Sequence, residues 1–317
     1  MIDSIYSKAN IDTQKKPYNY IYNAIRDGLT EIIDEGISSH LNQPFLTGKL
    51  ENFHVFIKGN VLKFNGSLCK YLLGENVSTL SKDQIDAALK KLTQQMGFPV
   101  RQATLSRIDI STNLTVKYLP EIYLECLESM QNASILPWKG TKTFKRSRES
   151  LTFYDKKAEL KKKDPAVYRR FEDTGNLLRY ELTLSSKLHN LVGQDDLRVL
   201  WLHSSLFLQK LAVLWYNYYE AVIKKPISYI PDMASAKMHK AYTEFDGLQN
   251  KGSLQQVFKE IDIYKKANKW TANSASRLKR GYKTLYLDDR FTQPSPLVEE
   301  LDSLIYGSND MAQFIFV

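Results

Sequence analysis

Histidine is scarce in this chain, and none of it is arranged to bind metal. The 317 residues contain His40, His54, His189, His203 and His239, and no two are separated by a single residue. A His-apolar-His strand, one common way to hold a catalytic metal, is therefore absent. The lone histidines are expected to be surface or packing residues, and any metal would have mainly oxygen ligands. Cysteine is rarer still. Cys69 and Cys126 have no metal-type spacing and form no disulfide framework, so both are expected to be reduced and half-buried. No apolar run reaches the length of a membrane span. The N-terminus lacks the basic region and apolar run of a signal peptide. These absences lead to the expectation of a cytoplasmic protein with no membrane partner. The closing apolar stretch, Met311 to Val317, is too short to cross a bilayer. It is expected to dock as a last strand or to pack at an interface.

What is present is basic and aromatic. The net charge is +9, and there are 19 tyrosines and a hydrophobic fraction of 43%. The length suits two domains with a sizeable core in each. A basic balance favours polyanionic partners, and basic residues interleaved with aromatics suit single-stranded nucleic acid. The run from Trp138 to Lys163 is the most basic part. It holds Lys139, Lys142, Lys145, Arg146, Arg148, Lys156, Lys157, Lys161, Lys162 and Lys163 against Glu149, Asp155 and Glu159. Such runs are usually solvated faces. Here Lys142, Lys145 and Arg146 are the expected phosphate contacts.

Three segments read as strands with a charged or phenolic face. They are Leu105–Ser111, Leu151–Lys156 and Leu178–Leu182. Side chains alternate across a strand, so Arg107 and Asp109 share a face opposite Ile108 and Ile110. Tyr154 and Lys156 share a face in the second segment. In the third, Arg179 and Glu181 oppose Leu178, Tyr180 and Leu182. One sheet would gather two carboxylates, two guanidiniums, a phenol and an ammonium on one side. That inventory can hold a metal ion beside a phosphodiester and attack it with tyrosine. The plainer alternative is a solvated face with cross-strand ion pairs, and it stays open on pattern alone.

Around these segments, Phe53–Lys58 and Val61–Phe64 suggest a hairpin, with Asn60 and Asn65-Gly66 as turn signals. Ser81 is an N-cap for a helix to Met96 that Gly97 and Pro99 stop, with Ile85, Leu89 and Leu92 as its apolar stripe. Further helices are expected over Leu119–Met130 and Asp155–Phe171, the latter interrupted at Pro165. Asp155 either caps that helix or serves as an acidic site residue in place of Glu159. Leu197–Ile223 reads as a long apolar helix of a helical subdomain, and Pro226 and Pro231 mark a linker. Helices over Ser253–Ala267 and Thr271–Tyr282 follow. In the second of these, Arg277 and Lys279 after a small polar start suggest a recognition helix of a helix-turn-helix, or else a basic helix over the sheet. The reading is an α+β fold, an antiparallel sheet with helices on one face. Residues 1–192 are expected to form the catalytic domain. Residues 193–317 are expected to be mainly helical, with DNA binding at 253–282.

The order of motifs resembles the filamentous phage gene II and X replication initiators and related rolling-circle plasmid proteins, from about Phe53 to Asn190. The resemblance rests on Ile57-Lys58, on Ser67 through Val77, on Thr104 to Asp109, on Tyr154-x-Lys156-x-x-Glu159, and on Leu178-Arg179-Tyr180-Glu181. The start, Met1-Ile2-Asp3, is also similar. It implies an RRM-like nicking core, with Tyr154 as the nucleophile and a 5′-phosphotyrosine intermediate. By position and chemistry, Asp109, Glu159 and Glu181 become candidate ligands for Mg²⁺ or Mn²⁺. Lys156 becomes a candidate charge stabiliser, as do Arg107 and Arg179. Implied partners are origin DNA, single-stranded at the nick, and a host helicase. A mobilisation relaxase and a non-catalytic origin-binding regulator are the alternatives.

Overall fold

A computed structural model describes residues 2–11, 17–38, 42–185, 188–228 and 235–315. His40, Pro231 and the last two residues of the chain lie outside the described residues. The chain begins with β1 (Ile2–Asn10), α1 (Tyr18–Gly28), β2 (Glu31–Ser38), β3 (Gln43–Leu50), β4 (Phe53–Lys58) and β5 (Val61–Ser67). Then come α2 (Leu68–Leu73), α3 (Lys82–Met96), β6 (Thr104–Val116), α4 (Pro120–Cys126), β7 (Leu127–Met130), β8 (Ser134–Trp138), β9 (Thr141–Lys145) and β10 (Glu149–Asp155). The middle of the chain adds α5 (Lys156–Lys163), α6 (Pro165–Arg170), β11 (Asn176–Ser185), α7 (Leu188–Val192), α8 (Ser205–Glu220), β12 (Val222–Lys224) and β13 (Ile227–Ser228). The C-terminal part holds α9 (Ala236–Gln249), α10 (Leu254–Lys266), α11 (Ala272–Tyr286), β14 (Thr292–Gln293) and α12 (Pro296–Ile315).

Ten strands form one sheet in the order β2-β3-β4-β5-β1-β6-β11-β10-β9-β8, and every neighbour runs antiparallel. The three expected strands, β6, β11 and β10, are adjacent in it. The hairpin β4–β5 forms as expected. So does α3, where Ser81 and Gln84 close a capping box and Gly97, at φ 62°, ends the helix.

The apolar side of the central strands carries Ile108, Ile110, Leu178, Tyr180, Leu182, Leu151 and Phe153, all buried. It packs on α8. The Tyr180 ring lies 4.7 Å from Phe153, nearly parallel, and 4.7 Å from Trp215. The Tyr180 hydroxyl donates to the Trp215 carbonyl oxygen at 2.9 Å. This main core runs past residue 192 to include Leu202, Leu211 and Val222, then Leu301 and Ile305 of α12. A second cluster of Ile223, Leu248, Leu254, Val257 and Ile261 with Tyr286 joins α9, α10 and α11.

Several expected elements change. The stretch expected as one helix over Leu119–Met130 is α4 followed by strand β7, because β7 pairs with the distant β12. That pairing also ends α8 at Glu220, and its start is delayed by a 3₁₀ turn at Val199–His203. The Asp155–Phe171 helix, by contrast, is interrupted at Pro165 as expected, with Asp155 and Asp164 as the caps of its two pieces. At the C-terminus the backbone through Ile315 is helix rather than a last strand. Helices are also not confined to one face. Leu160 of α5, Val167 of α6 and Leu177 of β11 are buried apart from the main core, and Leu177 shares the Arg179 side of β11 by alternation. His54, His189, His203 and His239 are exposed.

Candidate active site

The polar side of the sheet is a grid fixed by register. Residues directly opposite in antiparallel strands share a face. One row across it reads Trp138, Thr141, Tyr154, Arg179 and Asn113. The next reads Leu136, Thr143, Thr152, Glu181 and Ser111, and a third contains Lys145, Ser150, Thr183 and Asp109. The structure thus brings Tyr154, Arg179, Glu181, Asp109 and Arg107 onto one surface.

Arg179 is its centre, only 1% exposed. Its Nη2 donates to Asp3 Oδ2 at 2.5 Å, its Nη1 to the Asn76 carbonyl oxygen at 2.7 Å, and its Nε to Glu181 Oε2 at 3.3 Å. A bulge in β1 between Ile2 and Ser4 sets Asp3 beside this guanidinium. The Ser67 hydroxyl donates to the other Asp3 oxygen at 2.7 Å. Asp109 is gripped in two-point fashion by Arg107, at 2.8 and 2.9 Å, and the Arg107 guanidinium lies 4.4 Å from the Tyr6 ring centre.

Lys156 does not continue the strand. β10 ends at Asp155, whose side chain accepts from the Ala158 amide at 2.9 Å and so caps α5. Lys156 is the first residue of that helix and is fully buried. Its Nζ donates to Asn76 Oδ1 at 2.9 Å and Glu159 Oε2 at 2.7 Å. Glu159 is also held by Lys163 at 3.1 Å. The 74–79 loop is clamped over this corner. Buried Glu75 accepts from the Val77 and Ser78 amides, and Asn113 donates to the Val77 carbonyl oxygen at 2.6 Å.

These contacts set the titration of each group. Burial pushes the Tyr154 phenol up. Arg179 opposes the rise, while Glu181, Glu159 and Asp3 add to it. Burial raises Glu181, and Asp3 and Asp109 reinforce the rise against Arg179. Burial likewise raises Asp109, against Arg107 and a hydrogen bond from Thr183. Burial lowers Lys156, and Arg179 adds to that while Glu159 opposes it. Burial would raise Glu159, but Lys156 and Lys163 outweigh it and hold the carboxylate below its usual range. Arg179, the partner of Tyr154 in register, is the cation that lowers the phenol.

Among the described residues no three His, Cys, Asp or Glu side chains converge as a ready metal cage. Glu159 is committed to two lysines and stands on α5, off the sheet rows that hold Asp109 and Glu181. Asp109 and Glu181 are the carboxylate pair of the sheet surface suited to a hard cation, although Arg107 holds both Asp109 oxygens and Arg179 holds one oxygen of Glu181. They are diagonal neighbours on adjacent strands and all-oxygen donors, and the Asp109 charge raises the cost of ionising Glu181. One or two carboxylates, with water and substrate phosphate, are a usual Mg²⁺ set.

The expected DNA contacts differ among themselves. Lys145 is exposed on the Tyr154 side of the sheet. Lys142 lies on the opposite side, where its Nζ donates to the Leu124 carbonyl oxygen at 2.9 Å, and burial lowers its pKa. Arg146 donates to the Gln131 carbonyl oxygen at 3.1 and 2.8 Å. In α11, Arg277 is exposed, whereas Lys279 is paired with both oxygens of Asp262 at 2.8 Å.

Sequence reasoning assigns no roles to Asp3, Asn76 and Asn113. Asp3 and Asn76 lie inside segments that carry the family resemblance, which is the available signal. Residues 38–192 match the family described as the N-terminal part of the gene II replication-associated protein. No curated protein matches the chain.

Proposed function

Residues 38–192 match the gene II-type family of replication initiators, and from that match we propose that the chain is such an initiator and nicks and rejoins one DNA strand with Tyr154. The observation that carries this reading is the register that sets Tyr154 opposite Arg179 on a surface shared with Asp109 and Glu181. The Tyr154 oxygen attacks the scissile phosphorus in line with the departing 3′-oxygen. One P–O bond forms as another breaks, leaving a 5′-phosphotyrosine and a free 3′-hydroxyl that can prime synthesis. The ester bond is kept, so rejoining needs no nucleotide cofactor. The 5′ polarity follows the family resemblance.

Arg179 favours the phenolate and faces the charge that builds on phosphorus. Fixed guanidiniums of this kind act most strongly where water is excluded. Arg107 orients Asp109, and Lys156 with Asn76 fixes the corner from which Tyr154 projects. Mg²⁺ or Mn²⁺ held by Asp109 and Glu181 would polarise the phosphate and cancel a carboxylate charge that now raises the phenol. Exposed Lys145 and Arg277 are proposed phosphate and groove contacts on origin DNA. A host helicase is the proposed partner for strand separation.

The test is incubation with supercoiled plasmid carrying the element's origin, in Mg²⁺ and in EDTA. A nicked circle covalently attached to protein is expected in Mg²⁺, strongly reduced by Asp109→Asn. Full adduct formation in EDTA would remove the metal from this proposal. Cleavage at a transfer origin in place of a replication origin would favour the relaxase reading. Origin binding with no adduct under any condition would favour a regulator.

A further inference from the structure

The last strand of the large sheet bears an aromatic side chain that is left largely open among the described residues. Trp138 is 71% exposed, the most exposed tryptophan or tyrosine among the described residues, and Leu136 beside it is 39% exposed. Both lie on the polar side of the sheet, because Trp138 pairs with Thr141 and Leu136 with Thr143. Thr141 in turn pairs with Tyr154. Trp138 therefore ends the same row that contains Tyr154 and Arg179. Neighbouring strands are about 4.8 Å apart, which puts Trp138 roughly 10 Å across the sheet from Tyr154 at the backbone.

The side chains between them are small. Thr141, Thr143 and Thr152 line the surface from β8 to β10, and the Thr143 hydroxyl donates to Thr152 Oγ1 at 3.2 Å. They leave an uncharged stretch between Trp138 and Tyr154, with exposed Lys145 on the same face of β9, level with Ser150, and buried Arg179 beyond Tyr154. The indole is also held in place by its backbone. Trp138 and Thr141 flank a two-residue turn in which Gly140 adopts φ 69°, a left-handed conformation that glycine accepts without strain. The hairpin register thus fixes where the ring is presented.

We propose that Trp138 is a stacking platform for a nucleobase of the single strand that leads into the Tyr154 site. The occupant is an unpaired base of single-stranded DNA. A duplex keeps its bases stacked on one another and has no free ring face to offer. Stacking on Trp138 would hold the strand across the threonines, so that its backbone passes over Tyr154 and Arg179. The proposal rests on the DNA-nicking reading for the identity of the ligand, but its test needs no nicking.

The experiment measures binding of the full chain in EDTA to three polymers of equal length: single-stranded deoxyadenosine, single-stranded deoxythymidine, and an abasic sugar-phosphate chain. Wild type, Trp138→Ala and Trp138→Phe are compared after a thermal melt shows that each is folded. Base–aromatic stacking contributes enough that Trp138→Ala should weaken binding of the base-bearing polymers by between about 5-fold and about 150-fold. The abasic polymer should bind equally to all three proteins. Trp138→Phe should recover most of the loss, and the purine polymer should lose more than the pyrimidine polymer. Unchanged binding of the base-bearing polymers by Trp138→Ala would overturn the platform. So would an equal loss on the abasic chain, which would mean that the residue supports the surface without touching a base. A protein that never forms the covalent adduct yet shows the base-dependent loss would refute the nicking reading and leave this one standing.

Discussion

Tyr154 and Tyr180 are the same side chain on adjacent strands, and the two faces of one sheet make different things of them. Tyr180 is fully buried, stacked on Phe153, and donates its hydroxyl to the Trp215 carbonyl oxygen. Burial is the main cause that raises it far above an ordinary phenol, with Tyr218 a lesser one. Tyr154 is half-buried; burial is the first cause that raises it too, but charges act on top of it, with Arg179 opposing the rise and Glu181, Glu159 and Asp3 adding to it. Both phenols are held protonated, but only Tyr154 can be released by moving charges around it. Pattern places two tyrosines on a sheet. The neighbours across the strands make one a structural anchor and set the other among charged groups.

The largest expected effect separates these two roles. Tyr154→Phe should bring the covalent adduct below detection while origin binding stays within a few fold and the melting temperature barely moves. Tyr180→Phe should do the reverse. Losing the bond to Trp215 leaves a buried carbonyl oxygen with one fewer donor, a cost of about 1–3 kcal/mol in a denaturant titration, and the adduct should still form. A Tyr154→Phe protein that retains the adduct would transfer the nucleophile elsewhere.

The next contrast concerns Arg179 against Arg107. Arg179→Ala strands Asp3 and Glu181 without their buried partner, and breaking such a pair costs roughly 3–5 kcal/mol. Arg107 is about one-third exposed, so Arg107→Ala should cost clearly less. Equal losses in a thermal melt would mean that Arg179 is not the hub that its hydrogen bonds suggest.

How much of this is legible in the sequence follows from the same physics. Strict alternation exposes the faces of β6, β10 and β11, and the capping residues of α3 fix its ends. Asp3 escapes because a bulge in β1 breaks the alternation that would place it. Lys156 falls in the right neighbourhood for the wrong reason. Alternation reads it as strand, but Asp155 caps a helix there, and Lys156 reaches the site from the first helical turn. β7 reads as helix because its partner β12 lies far away in the chain, and long-range pairing leaves no local signal. Glu159 matches the family spacing, yet spacing does not reveal that two lysines already hold it.

Proton release should show in the rate. The folded pKa of Tyr154 lies above the ordinary value of about 10, so below it the phenolate fraction grows tenfold for each pH unit. The single-turnover nicking rate should climb steadily between about pH 7 and 9, with no plateau in that window. The stability linkage has the opposite sign. A phenol whose folded pKa exceeds its unfolded pKa contributes stability that is full below about pH 10 and is lost as pH rises toward the folded value. Tyr154 and Tyr180 should both contribute to alkaline unfolding, and Tyr180→Phe should blunt it. A flat rate profile would mean that DNA and metal lower the Tyr154 pKa below the working range.

The smallest effects come from the basic residues, and here the structure ranks what composition could not. Lys142, Lys145 and Arg146 look equivalent in sequence. Lys145 alone is exposed on the Tyr154 side, while Lys142 and Arg146 already donate to backbone carbonyl oxygens. A lysine that neutralises one phosphate changes the slope of log affinity against log salt by roughly 0.7–0.9. Lys145→Ala should lower the slope by about that amount. Lys142→Ala should leave the slope nearly unchanged and lower stability, because its ammonium is engaged with the Leu124 carbonyl oxygen. The same logic divides α11. Arg277 is exposed and can enter a groove, whereas Lys279 is tied to both oxygens of Asp262. Arg277→Ala should therefore reduce the preference for origin over scrambled duplex more than Lys279→Ala does. The check is a salt series on both duplexes with all four variants. A Lys142 slope change as large as that of Lys145 would mean that DNA binding pulls Lys142 off its carbonyl, and that the two sides of the sheet edge act as one phosphate track.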